Sequence, residues 1–368
     1  MFKLKTLPLL ALLFAFSANV FSQTPNPAPT PPDDEERIFT EEIKLNVSAV
    51  NSAGKFAADV KAEDLVINED NILHQADSIR RIPANVLLVL DTGGEMRLAK
   101  SISQTRKTAL GLIDNLRPED QVAIIEYSDK ADILAEWTSD KNALKQILKD
   151  KLNFGRRSSF VDALNLANDF LRKSKVENQH LVLITDGTDS FNKSSERNEA
   201  FREILAGSVS VHVISYTQME IEKVEPRTKT LSKSPPPRAM PPEIAAQLPN
   251  GVRDTVTAPK IGPTINLDRA MLRKIRERKA ALEESQEYLA TLAEDTSGQF
   301  VLPETPEEMI EKTALVASVI DSNYVVTYTP KRPLSEAKPG EVRNIEVSSK
   351  RPGLQVLSRR KLIIEKEN

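Results

Sequence analysis

At 368 residues, with 40% hydrophobic and 28% charged residues, the chain is long enough for one good-sized domain plus a smaller one, and its composition excludes wholesale disorder. A formal net charge of −3 gives no electrostatic reason to expect nucleic acid or an anionic lipid surface as partner. The chain has no cysteine, which excludes disulfides and a lipid-modified cysteine.

Met1 to Ser22 opens with Lys3 and Lys5, runs apolar from Leu7 to about Ala15 and closes on the small residues Val20 and Ser22. This is the pattern of a signal peptide removed before Gln23, and it predicts a secreted or periplasmic protein. No later stretch is long and apolar enough to span a bilayer, so no membrane insertion is expected after leader removal. Residues 23–36 are rich in Pro and acid, which favours an extended spacer.

Residues 37–82 read as a β segment. Ile43, Leu45, Val47 and Ala49 alternate with Lys44, Asn46 and Ser48, the signature of a half-buried strand. Leu65-Val66-Ile67 and Ile72-Leu73 flank a polar turn and read as a hairpin. So few strands cannot close a core alone.

From residue 83 strand and helix alternate. Asn85 to Leu90 is an apolar run that breaks off at Asp91, followed by Thr92-Gly93-Gly94-Glu95. Such a run predicts a strand buried on both faces in a parallel sheet. Ile102, Ala109, Ile113 and Leu116 mark a helix that Pro118 stops; Val122 to Tyr127 and Ala131 to Trp137 are strands whose short link fits only an antiparallel pair. Helices follow over Asn142 to Leu152 and around Phe160, Leu164, Ala167 and Leu171. A second apolar strand, Leu181 to Ile184, also ends at a carboxylate, in Thr185-Asp186-Gly187-Thr188-Asp189. After a helix over Arg197 to Leu205 comes a third buried strand, Val209 to Ile214.

Between Thr217 and Ile265 the alternation gives way to a Pro-rich stretch whose composition favours disorder. A long helix is expected from about Asp268 to Glu294. Arg269, Arg273, Lys274, Arg276, Arg278 and Lys279 make its first half basic, read as a solvated face. Thr305-Pro306-Glu307-Glu308 opens a last helix with a capping box. Residues 323–368 return to β character, in Tyr324 to Tyr328, Val342 to Val347 and Leu354 to Ile364, and are expected to pair with residues 37–82, so that the α/β core is inserted between the halves of one small β domain. The fold class is therefore α/β, a doubly wound, mostly parallel sheet with a small β domain built from the N- and C-terminal segments.

If the two strands ending in Asp91 and Asp186 are neighbours, their carboxylates converge into an oxygen-rich site suited to a hard cation such as Mg²⁺ or Ca²⁺. Taken singly, a strand-end Asp before Gly is more often a turn former. His74, His180 and His212 lie in separate β elements with no Glu or His at ligand spacing, and read as packing residues. There is no nucleophile elbow, phosphate loop or dinucleotide fingerprint, so no catalytic residue is assigned and no enzyme is expected.

At these residues the sequence resembles the von Willebrand factor type A domain, in particular exported bacterial proteins that carry it between β segments. Val86 to Met96 resembles the family's first strand and its Asp-x-Ser-x-Ser motif, Leu181 to Gly187 its strand ending in Thr-Asp-Gly, and Gly155 to Leu164 the segment bearing its metal-binding Thr, with Ser158 at the Thr position. The resemblance implies a type A-like domain over 83–322, with 217–265 as an insertion, and a metal-ion-dependent adhesion site at the top of the sheet. Asp91, Glu95, Ser158 and Asp186 are then the candidate metal residues, and Thr92, Gly93, Gly94, Ser159, Gly187 and Asp189 the candidate partner-binding residues. The motif's two serines are replaced by Gly93 and Glu95. Either the site is degenerate, or the Glu95 carboxylate replaces a hydroxyl and makes a more acidic site. The implied function is a non-catalytic protein-binding or adhesion module; the alternative is a scaffold subunit with a metal-free site, binding through the insertion, the basic helix or the β domain.

Overall fold

The computed structural model describes residues 41–94, 101–191, 193–232, 245–249, 252–253, 264–265 and 268–364. The expected signal peptide and spacer, Glu95, and residues 233–244 and 254–263 of the insertion lie outside the described residues. Four strands come first: β1 (Ile43–Asn51), β2 (Leu65–Glu69), β3 (Ile72–His74) and β4 (Ser78–Arg80). The core follows as β5 (Asn85–Asp91), α1 (Ile102–Asn115), β6 (Gln121–Tyr127), β7 (Ala131–Thr138), α2 (Lys141–Asp150), α3 (Phe160–Ser174), β8 (Gln179–Thr185), α4 (Ser194–Ala206), β9 (Val209–Ser215) and α5 (Thr217–Val224). A ribbon of β10 (Leu231–Ser232) and β11 (Thr264–Ile265) precedes α6 (Arg269–Asp295), β12 (Phe300–Val301) and α7 (Pro306–Asp321). The chain then returns through β13 (Asn323–Tyr328), β14 (Glu341–Ser349), β15 (Leu354–Ser358) and β16 (Lys361–Ile364).

The central sheet has the order β12-β9-β8-β5-β6-β7, parallel except for the edge strand β7. Its middle strand is the apolar run: Val86 to Leu90 are at most 1% exposed, and at roughly 2 kcal/mol per buried side chain these five contribute on the order of 10 kcal/mol of burial. Their alternation feeds two layers. Val86, Leu88 and Leu90 meet α1, α2 and α7 on one face; Leu87 and Val89 meet α3, α4 and α6 on the other. Helix starts follow local chemistry, as where the Ser101 Oγ accepts from Gln104 N and the Asp140 carboxylate from Asn142 N and Ala143 N.

The terminal strands form two antiparallel sheets, β15-β1-β13-β4 and β16-β14-β2-β3. They enclose one cluster of buried side chains that includes Leu45, Leu65, Ile67, Tyr328 and Val347. Each half of the sequence supplies strands that the other half lacks, as expected for segments too short to bury a core alone.

Four expectations are corrected. β1 is buried on both faces, because Asn46 and Ser48 pack against the α/β core and Asn46 Nδ2 donates to the Gln179 carbonyl at 3.0 Å. The stretch from Thr217 starts with a helix, α5, whose Val224 packs on Ile275 and Leu282 of α6. The C-terminal β stretch breaks at Arg359, a buried residue whose guanidinium donates to the Leu205 and Gly207 carbonyls at the end of α4. His180 and His212 sit side by side on β8 and β9, Nδ1 to Nε2 at 3.1 Å.

Candidate functional site

The crossover from β5 through α1 leads to β6 on one side, while β8 lies on the other, so the switch point of the sheet falls between β5 and β8. Open α/β sheets bind ligands in the crevice beyond that point. Asp91 ends β5, and Asp186 follows the last residue of β8. Both are buried.

Asp91 is held by its own loop. Its Oδ1 accepts from Gly93 N at 3.0 Å and its Oδ2 faces the Thr185 hydroxyl at 3.5 Å. That hydroxyl is positioned by Tyr127 OH at 2.6 Å and accepts from Gly187 N at 2.7 Å, so one threonine ties β5, β6 and the turn after β8 together. Burial, then the charges of Asp91 and Asp186, push the Tyr127 phenol well above its usual range. It stays neutral.

The loop before α3 forms the second wall. Asp129 gathers it, accepting from Arg156 N at 3.2 Å and Arg157 N at 3.0 Å, and the Arg157 carbonyl accepts from Gly94 N at 3.1 Å. A Cβ on Gly93 would lie 1.8 Å from the Arg157 carbonyl oxygen. No side chain fits at that position without moving backbone, so the missing motif serine is a packing requirement of this loop pair. Ser158 and Ser190 are laced by two bonds, Ser158 N to Ser190 Oγ at 2.9 Å and Ser190 N to the Ser158 carbonyl at 2.8 Å. The buried Ser158 Oγ has no hydrogen-bond partner among the described residues.

Asp186 is covered by α6. Arg278 Nη2 lies 2.8 Å from Asp186 Oδ2, with the two side chains 20% and 2% exposed. Arg278 Nη1 donates to the Thr188 hydroxyl, which in turn donates to Asp186 Oδ1 at 2.6 Å. Burial works against the guanidinium's charge, but Asp186 and then Glu220 outweigh it, and its pKa is raised. Two more residues of α6 grip the same turn: Ser285 Oγ donates to the Asp186 carbonyl at 2.5 Å and Tyr288 OH to the Gly187 carbonyl. Gly187, at φ +71°, is left-handed with a leucine of α6 against it, a position only glycine fills without strain.

Of the expected site residues, Ser158 and Asp186 line one surface cavity of about 360 Å³ together with Gly94, Asp189, Ser190, Lys274 and Arg278. Asp91 stands behind them, and Glu95 lies outside the described residues. Of the expected partner contacts, Thr92, Gly93, Ser159 and Gly187 are buried and frame the site, while Gly94 and Asp189 reach the surface. Sequence reasoning missed Arg278 by treating the basic run as a solvated face. The signal was present: Ile275, Arg278, Leu282, Ser285, Leu289 and Leu292 follow one another at steps of three and four, which puts Arg278 on the buried stripe of α6.

The resemblance implies a divalent cation here, and the described residues, which do not include Glu95, do not fit one. Among the described residues no three carboxylates or imidazoles converge. The Arg278 guanidinium is already on Asp186, and a dication about 4 Å from it would meet repulsion of about 8 kcal/mol at an effective dielectric of about 20. The Asp186 carboxylate that would oppose this repulsion already carries the guanidinium.

Comparison with known proteins agrees with the motif reading. The sequence model of the von Willebrand factor type A domain matches residues 86–188. The chain is similar to the uncharacterized protein sll0103 of Synechocystis, 32% identical over 115 residues, covering 30% of this chain and 27% of that protein. It is similar to bovine inter-alpha-trypsin inhibitor heavy chain H4, 26% identical over 154 residues, covering 38% of this chain and 17% of the relative. The chain therefore spans little more than a quarter of the length of the first and about a sixth of the second. Among solved structures, a von Willebrand factor type A protein from Catenulispora acidiphila aligns with 10% identity and a TM-score of 0.40 over 89% of this chain and 74% of that one.

Proposed function

Residues 86–188 are a von Willebrand factor type A domain, a kind of domain that is generally a non-catalytic interaction module, and from that premise we propose that the chain is an exported protein-binding or adhesion module. It contacts its partner through the loops at the carboxyl ends of β5 and β8 and the loop before α3. One observation supports this reading above the others: Ser158 and Asp186, from two separate loops, line a single surface cavity at the switch point of the sheet, beside the half-exposed Gly94 and Asp189. Export is inferred from the leader pattern of Met1 to Ser22. No reaction is assigned, because among the described residues no base stands against the Ser158 hydroxyl.

The test is affinity capture with the full chain from the exporting cell, read against Asp189→Arg and Ser190→Arg, which obstruct the cavity at its rim. Loss of the captured partner in both variants is the expected result. Capture that survives both but disappears when residues 233–263 are replaced by a short linker would transfer the binding role to the insertion, whose ends the β10–β11 ribbon holds together. Cell fractionation with and without Met1 to Ser22 reads export separately.

A further inference from the structure

We propose that the Arg278 guanidinium occupies the cation's place at this type A site, so that the domain works without a divalent metal. Three features carry the inference. The charge is delivered in a fixed geometry, since Nη2 meets Asp186 Oδ2 at 2.8 Å while Nη1 engages Thr188, itself bonded to Asp186 Oδ1. The planar fork of an arginine suits such a two-point grip, which an ammonium would not reproduce.

The delivering helix is locked to the turn it serves. Ser285 and Tyr288 bond the carbonyls of Asp186 and Gly187, about two and three helical turns beyond Arg278, and Arg197 of α4 pairs with Glu284 at 2.8 Å. Arg278 therefore cannot leave Asp186 by a rotamer change alone without giving up a buried ion pair on a helix that stays in place. The first loop has also been rebuilt for a site lacking a ligand: Gly94 N bonds the Arg157 carbonyl in the space that a residue-93 side chain would need. Loss of the hydroxyl and gain of the guanidinium are two sides of one arrangement.

The inference rests on the family reading of the site, and its test uses no partner, so its failure and that of the binding proposal are read apart. Mg²⁺, Mn²⁺ and Ca²⁺ are titrated into the full chain by calorimetry, with melting followed in parallel. The wild type is expected to give flat isotherms and an unchanged Tm. Arg278→Ala uncovers Asp186 with Ser158 beside it; it is expected to melt lower and to regain on the order of 5 °C with saturating Mn²⁺. Arg278→Gln, close to arginine in reach but neutral, carries the same comparison if the alanine variant does not fold. Divalent binding by the wild type that Asp186→Ala abolishes would overturn the proposal. So would Arg278 variants that fold yet gain no divalent response, because the guanidinium would then not be filling a cation's place.

Discussion

Arg343 on β14 and Glu69 on β2 meet at 2.6 Å, Nη1 to Oε1, and each side chain is only 1% exposed. The pair sits in the β module, outside the residues 86–188 that match the type A domain. Arg343 also donates to the Arg332 carbonyl at 2.9 Å and the Pro333 carbonyl at 3.2 Å, and Tyr328 OH donates to Glu69 at 3.1 Å. Removing one charge leaves the other only a more exposed neighbour, Glu341 at 3.1 Å from Arg343 or Arg332 at 3.7 Å from Glu69. Arg343→Met is expected to cost about 3–5 kcal/mol, and Glu69→Met with Arg343→Met to recover much of it; denaturant unfolding of both variants checks this.

Acid is expected to weaken the fold through His180 and His212. The backbone N–H of Gln299 donates to His212 Nδ1, so His212 Nε2 carries the proton given to His180 Nδ1, and His180 Nε2 donates to Asn178. Both rings are neutral in this chain of bonds. Burial lowers His212 from 6.5 to about 3, and burial followed by the neighbouring His212 lowers His180 well below its usual value. The unfolded chain therefore binds more protons, and stability rises with pH across the window from about 3 to about 6.5. Each ring costs about 1.4 kcal/mol per pH unit below that upper limit. Urea midpoints measured between pH 7 and pH 5 should fall with the slope of two protons, reduced to one in His180→Asn.

Arg359 is expected to hold the β module to the core. Its guanidinium takes the Leu205 carbonyl in the last turn of α4, the Gly207 carbonyl just beyond it, and the Lys361 carbonyl at 2.8 Å. Burial pulls its pKa down to about 10, yet it remains charged at neutral pH and complements the negative end of the helix. Arg359→Lys loses the fork that reaches three carbonyls and should cost about 2–4 kcal/mol. Limited proteolysis would show β16 released before the central sheet; a digestion pattern equal to the wild type would count against the anchoring role.

Gly93→Ala tests the crowding of the first loop. With a Cβ placed 1.8 Å from a backbone oxygen, the loop before α3 must move. A loss of about 3 kcal/mol is expected, together with faster hydrogen exchange at Gly94, whose N–H bonds the displaced carbonyl.

Much of the α/β order was legible because apolar runs and helical periods are local signals. Val86 to Leu90 could only be a two-sided buried strand, and Asp91 and Asp186 stood out because each closes such a run. Ser158 was reached by resemblance, on the segment from Gly155 to Leu164. What escaped depends on contacts between distant segments. Asn46 and Ser48 look solvent-facing until the core lies against them, and His180 and His212 look isolated until β8 pairs with β9. Arg278 hid among five other basic residues, where only its place in the three-and-four spacing set it apart. The helix α5 was lost in the composition of the Pro-rich stretch that follows it.

The type A core leaves the β module after Arg80 and returns at Asn323, and Arg80 is the direct strand partner of Val325. Tension applied between residues 43 and 364 therefore has a short path through the paired β4 and β13 that bypasses the core altogether. The sandwich acts as a mechanical bypass, and the loops around Asp91 and Asp186 stay unloaded until the pairs joining β1 to β13 and β15, β2 to β14 and β4 to β13 come apart. A pull on this protein would be felt first by its β module and only afterwards by the sheet it frames.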